Sequence, residues 1–273
     1  MKNNFLKRTA TSAVFVIVLM GGILWHPASF FVLFLAIVLL GLLEFYKITI
    51  KNQYKPQVVS GMILGLSIFT SIFLVASSVI GNQILMIYIP LVVVIFVIEL
   101  FRNTKDPFAN IAFTLFGAIY IAVPFGLLSY FVFNPQIGNE YNPYVLITYF
   151  ILIWVNDSGA YIVGSSIGKH KLFERISPKK SWEGFIGGAI FSLLAAYIAS
   201  LIFVRIDLVH WLVISVITFT FGTLGDLFES LLKRAADVKD SGSILPGHGG
   251  ILDRFDSLLL SAPIVFIYLK LVA

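Results

Sequence analysis

Nine stretches of this chain are each apolar over close to the ~20 residues that a helix needs to cross the hydrocarbon of a bilayer. They fall at 9–25, 29–47, 57–80, 84–101, 107–133, 143–166, 184–204, 208–232 and 256–272. Inside lipid every backbone N–H and C=O must find its partner within the segment, so such runs fold as helices or close into a barrel. The runs are continuous rather than alternating, which disfavours the barrel. With 59% hydrophobic residues, the chain has more apolar surface than a soluble core of its size could bury. The predicted fold class is therefore all-α, a polytopic integral membrane protein with about nine transmembrane helices. The start, with Lys7 and Arg8 before an apolar run, has the look of a signal peptide. No clean small-residue cleavage site follows, and a second run begins just after Trp25-His26-Pro27, so the first run reads as a span. Pro124 is expected to kink the fifth span, and Asn156, Asp157 and Ser158 interrupt the apolar character of the sixth. There is no cysteine, which excludes disulfides and thiol chemistry.

Basic residues settle the expected orientation. If the N-terminus lies in the cytoplasm, the inward segments hold Lys2, Lys7, Arg8, Lys47, Lys51, Lys55, Arg102, Lys105, Lys169, Lys171, Arg175, Lys179, Lys180, Lys233, Arg234, Lys239 and Arg254. Of the 19 basic residues only Arg205 and Lys270 remain outside. Cytoplasmic loops are enriched in Lys and Arg, so the pattern predicts a cytoplasmic N-terminus and an external C-terminus. It also predicts a multi-pass protein of the cell membrane with its chemistry facing the cytoplasm. Residues 1–140 form the expected N-terminal helical region, and residues 141–273 a C-terminal catalytic region with two polar loops, 167–183 and 233–255. No internal repeat or appended soluble domain is apparent.

One passage breaks the apolar monotony. Gly225 to Asp256 holds five Asp, one Glu, two Lys, two Arg and one His, in a chain that is only 12% charged. Ionisable groups beside membrane spans are costly, so such a cluster marks a functional site. Asp226 and Ser230 share a face of span eight, and Asp226 has no local basic partner, so a cation is expected on it. Glu229 and Lys233 have the spacing of a surface ion pair. Asp253 and Asp256 can share a face where span nine begins; with Asp226 they make an all-oxygen donor set that suits Mg²⁺ completed by water and phosphates. Asp256 equally fits a helix cap. Zinc is disfavoured without cysteine and with only His170 and His248 near the polar loops. Pro246-Gly247-His248-Gly249-Gly250 is either an anion cradle of glycine-freed amides or a plain turn, and His248 either an acid, a phosphate donor or structural. In the other polar loop, Lys179 and Lys180 beside Ser181 would attract phosphates or acidic headgroups, or merely satisfy the orientation rule. Asn156 and Asp157 are expected to line the same polar cavity as Asp226. Taken by themselves, the residues describe a cytoplasm-facing carboxylate site for a phosphate-bearing lipid and a phosphate-bearing soluble partner.

These residues resemble the signature of the phosphatidate cytidylyltransferases (CDP-diacylglycerol synthases), S-x-x-K-R-x4-K-D-x-G-x-x-L-P-x-H-G-G-x-x-D-R-x-D. The chain matches it with Ser230, Lys233, Arg234, Lys239, Asp240, Gly242, Leu245, Pro246, His248, Gly249, Gly250, Asp253, Arg254 and Asp256, every spacing kept. Asn156 to Tyr161 and Ser177 to Gly184 also look like that family's second block. The similar regions cover somewhat under half of the chain, at its C-terminal end. The resemblance implies an enzyme that converts CTP and phosphatidate to CDP-diacylglycerol and pyrophosphate, with no nucleic-acid partner, working as a homodimer in the bilayer. It implies a divalent metal on Asp226 and Asp253, supported by Asp256, with room for a second metal or a monovalent cation such as K⁺. Lys233, Arg234, Lys239 and Arg254 would then neutralise phosphates, with Asp240 and His248 completing the catalytic set. Lys179, Lys180, Ser181, Ser230, Gly249 and Gly250 would bind substrate with Asn156 and Asp157. Two rivals share some of these features. A CTP-dependent lipid kinase of the dolichol or phytol type would release CDP, and a transporter would spread its polar residues over matching halves instead of crowding them into one.

Overall fold

The computed structural model describes residues 2–51, 53–134, 140–203, 206–242 and 249–272, with side chains from Thr11 onward. It is almost wholly helical. Helix α1 is Lys2–Trp25, α2 Pro27–Lys51 and α3 Val58–Ala76; a 3-10 turn, Asn82–Ile87, leads into α4, Tyr88–Phe101. Helices α5 (Pro107–Leu127) and α6 (Ser129–Val132) follow, then α7 (Tyr144–Ile167), α8 (Trp182–Ile202), α9 (Leu208–Ala235) and α10 (Leu252–Val272). Among the described residues, eight helical stretches, from Pro27–Lys51 to Leu252–Val272, are long and apolar enough to cross a membrane, and α1 adds a shorter apolar piece, Thr11–Trp25. Large apolar side chains such as Val93, Val94, Phe96 and Val97 on α4 point outward, as a lipid-facing surface requires.

The fifth span is helical through Pro124 and is divided after Leu127, and α7 runs unbroken through Asn156, Asp157 and Ser158. The all-α expectation misses one antiparallel hairpin, β1 (Lys171–Phe173) and β2 (Ser177–Ser181), with Lys171 opposite Ser181 and a register shift before Phe173 and Ser177. Lying between apolar spans, this polar segment satisfies its backbone by pairing with itself.

The chain divides into two compact units. The first comprises residues 1–130 and 233–255. Here α2 packs on α1, α3 and α5, and α4 on α3 and α5. Phe30, Phe34, Phe45, Phe69 and Phe125 are fully buried, and the Tyr46 hydroxyl donates to the Thr114 carbonyl at 2.8 Å. A buried polar node ties the ends of these helices together. Glu99 accepts from Gln57 at 2.8 Å, Arg102 at 2.8 Å, Thr104 at 2.8 Å and Asn110 at 3.2 Å.

The second unit comprises residues 131–232 and 256–273. Its helices α7 and α8 lie face to face. Gly187 and Gly188 make this possible: a Cβ on Gly188 would stand 2.6 Å from the Asn156 Oδ1, and one on Gly187 2.5 Å from the Val163 Cβ. Tyr149 and Ser261 share a hydrogen bond of 2.5 Å, and Ser192 and Ser215 one of 2.9 Å. At Gly225 of α9 the backbone of α10 lies close; a Cβ there would collide with the Asp256 carbonyl oxygen. Because that obstacle is backbone, it cannot swing aside. Gly225→Ala is expected to lower stability by about 1–3 kcal/mol through overpacking, read as the thermal midpoint in detergent. Gly21→Ala, with open space around its Cβ, should leave that midpoint in place.

Candidate active site

In the second unit the polar side chains gather where β2, α7, α9 and α10 supply them. Lys180 of β2 reaches Asp226 of α9, Nζ to Oδ2, at 2.5 Å. The Ser230 hydroxyl, one turn along α9, lies 3.3 Å from the other Asp226 oxygen. Asp157 of α7 is within electrostatic reach of both Asp226 and Lys180, and Asn156 donates to it at 3.3 Å. Asp256 of α10 feels the charges of Asp226, Glu229 and Asp157. Lys180 pairs with Asp226 and its charge also reaches Asp157. The expected absence of a local basic partner for Asp226 is met from a distance, by a hairpin that helix periodicity cannot place. Ser181 has a different task from Lys180: its Oγ caps α8 by accepting from the Gly184 N–H at 3.1 Å. The base of the hairpin is closed by Glu183, which accepts from the Lys169 and His170 amides at 3.1 and 3.2 Å.

In the first unit the organising group is Asp253, in the first turn of α10. Its Oδ1 is 2.7 Å from the Lys233 Nζ, and the two side chains are 10% and 12% exposed. Its Oδ2 accepts from the Gly250 N–H at 2.7 Å, the Ser241 N–H at 2.9 Å and the Ser241 hydroxyl at 2.9 Å. Gly249 has φ of +83° and a Cβ there would stand 2.5 Å from the Asp253 Oδ2. This position therefore needs glycine twice over, for its left-handed backbone and for space. The helix begins at Leu252, four residues before the start expected from hydropathy, so Asp256 stands inside α10 and not at its cap. Its Oδ1 accepts from the Ser257 N–H at 2.6 Å.

Arg234, Lys239, Asp240 and Arg254 are exposed, as is Lys179. His248, with Leu245, Pro246 and Gly247, lies outside the described residues, so the anion-cradle expectation is carried by Gly249 and Gly250 alone. One residue of this site was not expected at all. Glu44, a single carboxylate in the otherwise apolar length of α2, is 1% exposed. It accepts from the Ile251 N–H at 2.9 Å, the Leu252 N–H at 3.0 Å and the Ser241 hydroxyl at 3.0 Å. The signal available in the sequence is the acid itself, since a charged group inside an apolar span is a functional candidate by default.

Among the described residues no group of three or more His, Asp or Glu is disposed as a finished metal cage. The donor chemistry still fits a hard cation. Asp157, Asp226 and Asp256 are carboxylates with one lysine between them, and Mg²⁺ is commonly held by one or two carboxylates plus substrate phosphates and water. Asp253 fits less directly, since both of its oxygens are engaged by Lys233, Ser241 and Gly250.

The sequence profile of the cytidylyltransferase family matches residues 6–272. Among individual relatives, the chain is 46% identical over 173 residues to the phosphatidate cytidylyltransferase of Bacillus subtilis (strain 168), a match covering 63% of this chain and 62% of that protein. It is 46% identical over 169 residues to the phosphatidate cytidylyltransferase of Staphylococcus haemolyticus (strain JCSC1435), and 43% identical over 169 residues to that of Staphylococcus aureus (strain COL). Each of those two matches covers 61% of this chain and 62% of the relative, so the matched region spans about three fifths of the relatives' length. From the first turns of α1 to the end of α10, then, the chain belongs to the cytidylyltransferase family.

Proposed function

We propose that this protein transfers the cytidylyl group of CTP to phosphatidate, giving CDP-diacylglycerol and pyrophosphate. The observation that carries the reading is the way the signature folds. Asp253 is fixed by an ion pair and three hydrogen bonds from within that same stretch, while Arg234, Lys239 and Arg254 are exposed residues. The names of the relatives support the same substrates. In the reaction a phosphate oxygen of phosphatidate attacks the α-phosphorus of CTP in line. The bond from that phosphorus to the α–β bridging oxygen breaks, and its electron pair leaves with pyrophosphate. Phosphatidate is already ionised, so no general base is needed. What such a transfer requires is positioning and the neutralisation of phosphate charge. Lys180, held by Asp226, and the exposed cations of the signature meet the second need.

Mg²⁺ is the cofactor in this reading, with Asp226 and Asp256 as its carboxylates, and when bound it would neutralise the triphosphate and draw charge from the phosphorus. Asp253 joins that set on the resemblance, exchanging Lys233 for the metal; a second metal or K⁺ beside it rests on the same ground. We place nine spans in the bacterial cell membrane, α1 included, with the N-terminus and both polar segments in the cytoplasm, on the distribution of Lys and Arg. A homodimer is part of the same proposal.

The test is an assay of purified protein in detergent with CTP, phosphatidate and Mg²⁺, following pyrophosphate and CDP-lipid together. Equal amounts of both are expected. Release of CDP in place of pyrophosphate would make the protein a lipid kinase, and turnover of neither substrate by well-folded protein would overturn the proposal.

A further inference from the structure

We infer that Glu44 of α2 is a positioning residue for the signature: its buried carboxylate sets the start of α10 and, through Ser241, the orientation of the Asp253 carboxylate. The inference rests on the proposed reaction only for what Asp253 does, since the contacts themselves are independent of it.

The first four N–H groups of a helix have no partner within it. At the start of α10 the Ile251 and Leu252 amides are taken by the two Glu44 oxygens, at 2.9 and 3.0 Å. A carboxylate is the best acceptor for that place, because the bonds are charge-assisted and the helix end is positive. Glu44 is 1% exposed and has no cationic partner among the described residues, so these donors are what makes its burial tolerable. A group merely filling space in an apolar helix would be leucine.

The third donor is what extends its reach to the site. The Ser241 hydroxyl stands 3.0 Å from Glu44 Oε2 and 2.9 Å from Asp253 Oδ2. It has one proton for two carboxylate oxygens, so how firmly it serves one depends on the other. The Gly250 amide completes the arrangement: it donates to Asp253 at 2.7 Å, one residue before the Ile251 amide that Glu44 holds. A Cβ on Gly250 would collide with the Glu44 and Ser241 side chains, so the three groups are packed without slack. Moving Glu44 must therefore move Ser241, Gly250 or both, and these two residues carry three of the four donors to the Asp253 carboxylate, Lys233 supplying the fourth.

Glutamine at this position cannot substitute. It has one acceptor oxygen, and its amide would turn N–H donors toward N–H donors. Aspartate keeps the charge and both acceptors on an arm shorter by one methylene. The experiment compares Glu44→Gln, Glu44→Asp and Glu99→Gln, each purified in detergent. Glu99 is a buried carboxylate in a polar node of the same unit with no bond to the signature, so its variant reports loss of stability alone. Glu44→Gln is expected to speed hydrogen exchange at the Ile251 and Leu252 amides, with exchange elsewhere unchanged. It is also expected to lower kcat by about 100-fold, the cost of a small misplacement, with KM for CTP little altered. Glu44→Asp should recover part of both. Unchanged exchange at those two amides would overturn the inference whatever the activity. So would activity per folded molecule equal to that of Glu99→Gln. Should the wild type turn over neither substrate, the proposed reaction fails and the exchange measurement still judges Glu44.

Discussion

Asp226→Asn is expected to lower turnover of CTP and phosphatidate by about 10³-fold and to leave the thermal midpoint in detergent almost where it was. The two halves of this result follow from one geometry. Asp226 pairs with Lys180 at 2.5 Å, and the side chains are 33% and 26% exposed. A pair that open to solvent is worth at most ~1 kcal/mol of stability, so its loss is hardly felt by the fold. The loss to the site is of another kind. Neutralising Asp226 frees Lys180 from the place where β2 presents it, and removes one of the hard oxygen donors on which Mg²⁺ is proposed to bind. A double variant separates the two effects. If Asp226 matters only by holding Lys180, then adding Lys180→Met to Asp226→Asn makes nothing worse, and Lys180→Met alone is equally inactive. If Asp226 also binds metal, Asp226→Asn is the more severe single change and its residual activity climbs with Mg²⁺ concentration well beyond the range where the wild type saturates. Full activity of Asp226→Asn throughout a Mg²⁺ titration would refute both roles.

How much of this was legible in the sequence varies with the range of the interaction. The long apolar helices were, because crossing lipid requires a length of apolar helix and the described residues hold eight such helices, with α1 shorter. Their ends were not. Helix α9 continues to Ala235 and α10 begins at Leu252, since a helix carrying Lys233 or Asp253 at its polar end stays helical without being apolar. The hairpin at Lys171–Ser181 had no signal, being short, charged and carrying Pro178 in a strand. Within the signature the right residues were in view, yet the partners were not. Lys233 has the helical spacing to face Glu229, but nothing in that spacing points to Asp253, which it reaches 20 residues along the chain. Glu44 lies 197 residues from Ser241. No periodicity spans that distance; only the improbability of a charge in an apolar helix hinted at it.

The pair in the last turn of α9 should behave in the opposite way from Asp226 and Lys180. Lys233 and Asp253 are only 12% and 10% exposed, and removing one member of a buried pair leaves the other charge uncompensated, at a cost of about 3–5 kcal/mol. Asp253 would retain its bonds from Ser241 and Gly250, which places Lys233→Met at the lower end, about 3 kcal/mol. The expected result is thus a fall of several degrees in the thermal midpoint together with loss of turnover. That alone cannot distinguish a damaged fold from a damaged site, and the compensating variant does. Lys233→Met combined with Asp253→Asn removes both charges of the pair together, and asparagine can still accept from Ser241 and Gly250 through its carbonyl oxygen. Its midpoint should return most of the way to that of the wild type. If the pair were only a structural tie, activity would return with it. On the proposed reaction activity stays absent, because both the cation for a phosphate and the carboxylate of the signature are gone. A double variant that is stable and active would therefore remove Lys233 and Asp253 from the chemistry and leave them as a strut between α9 and the first turn of α10.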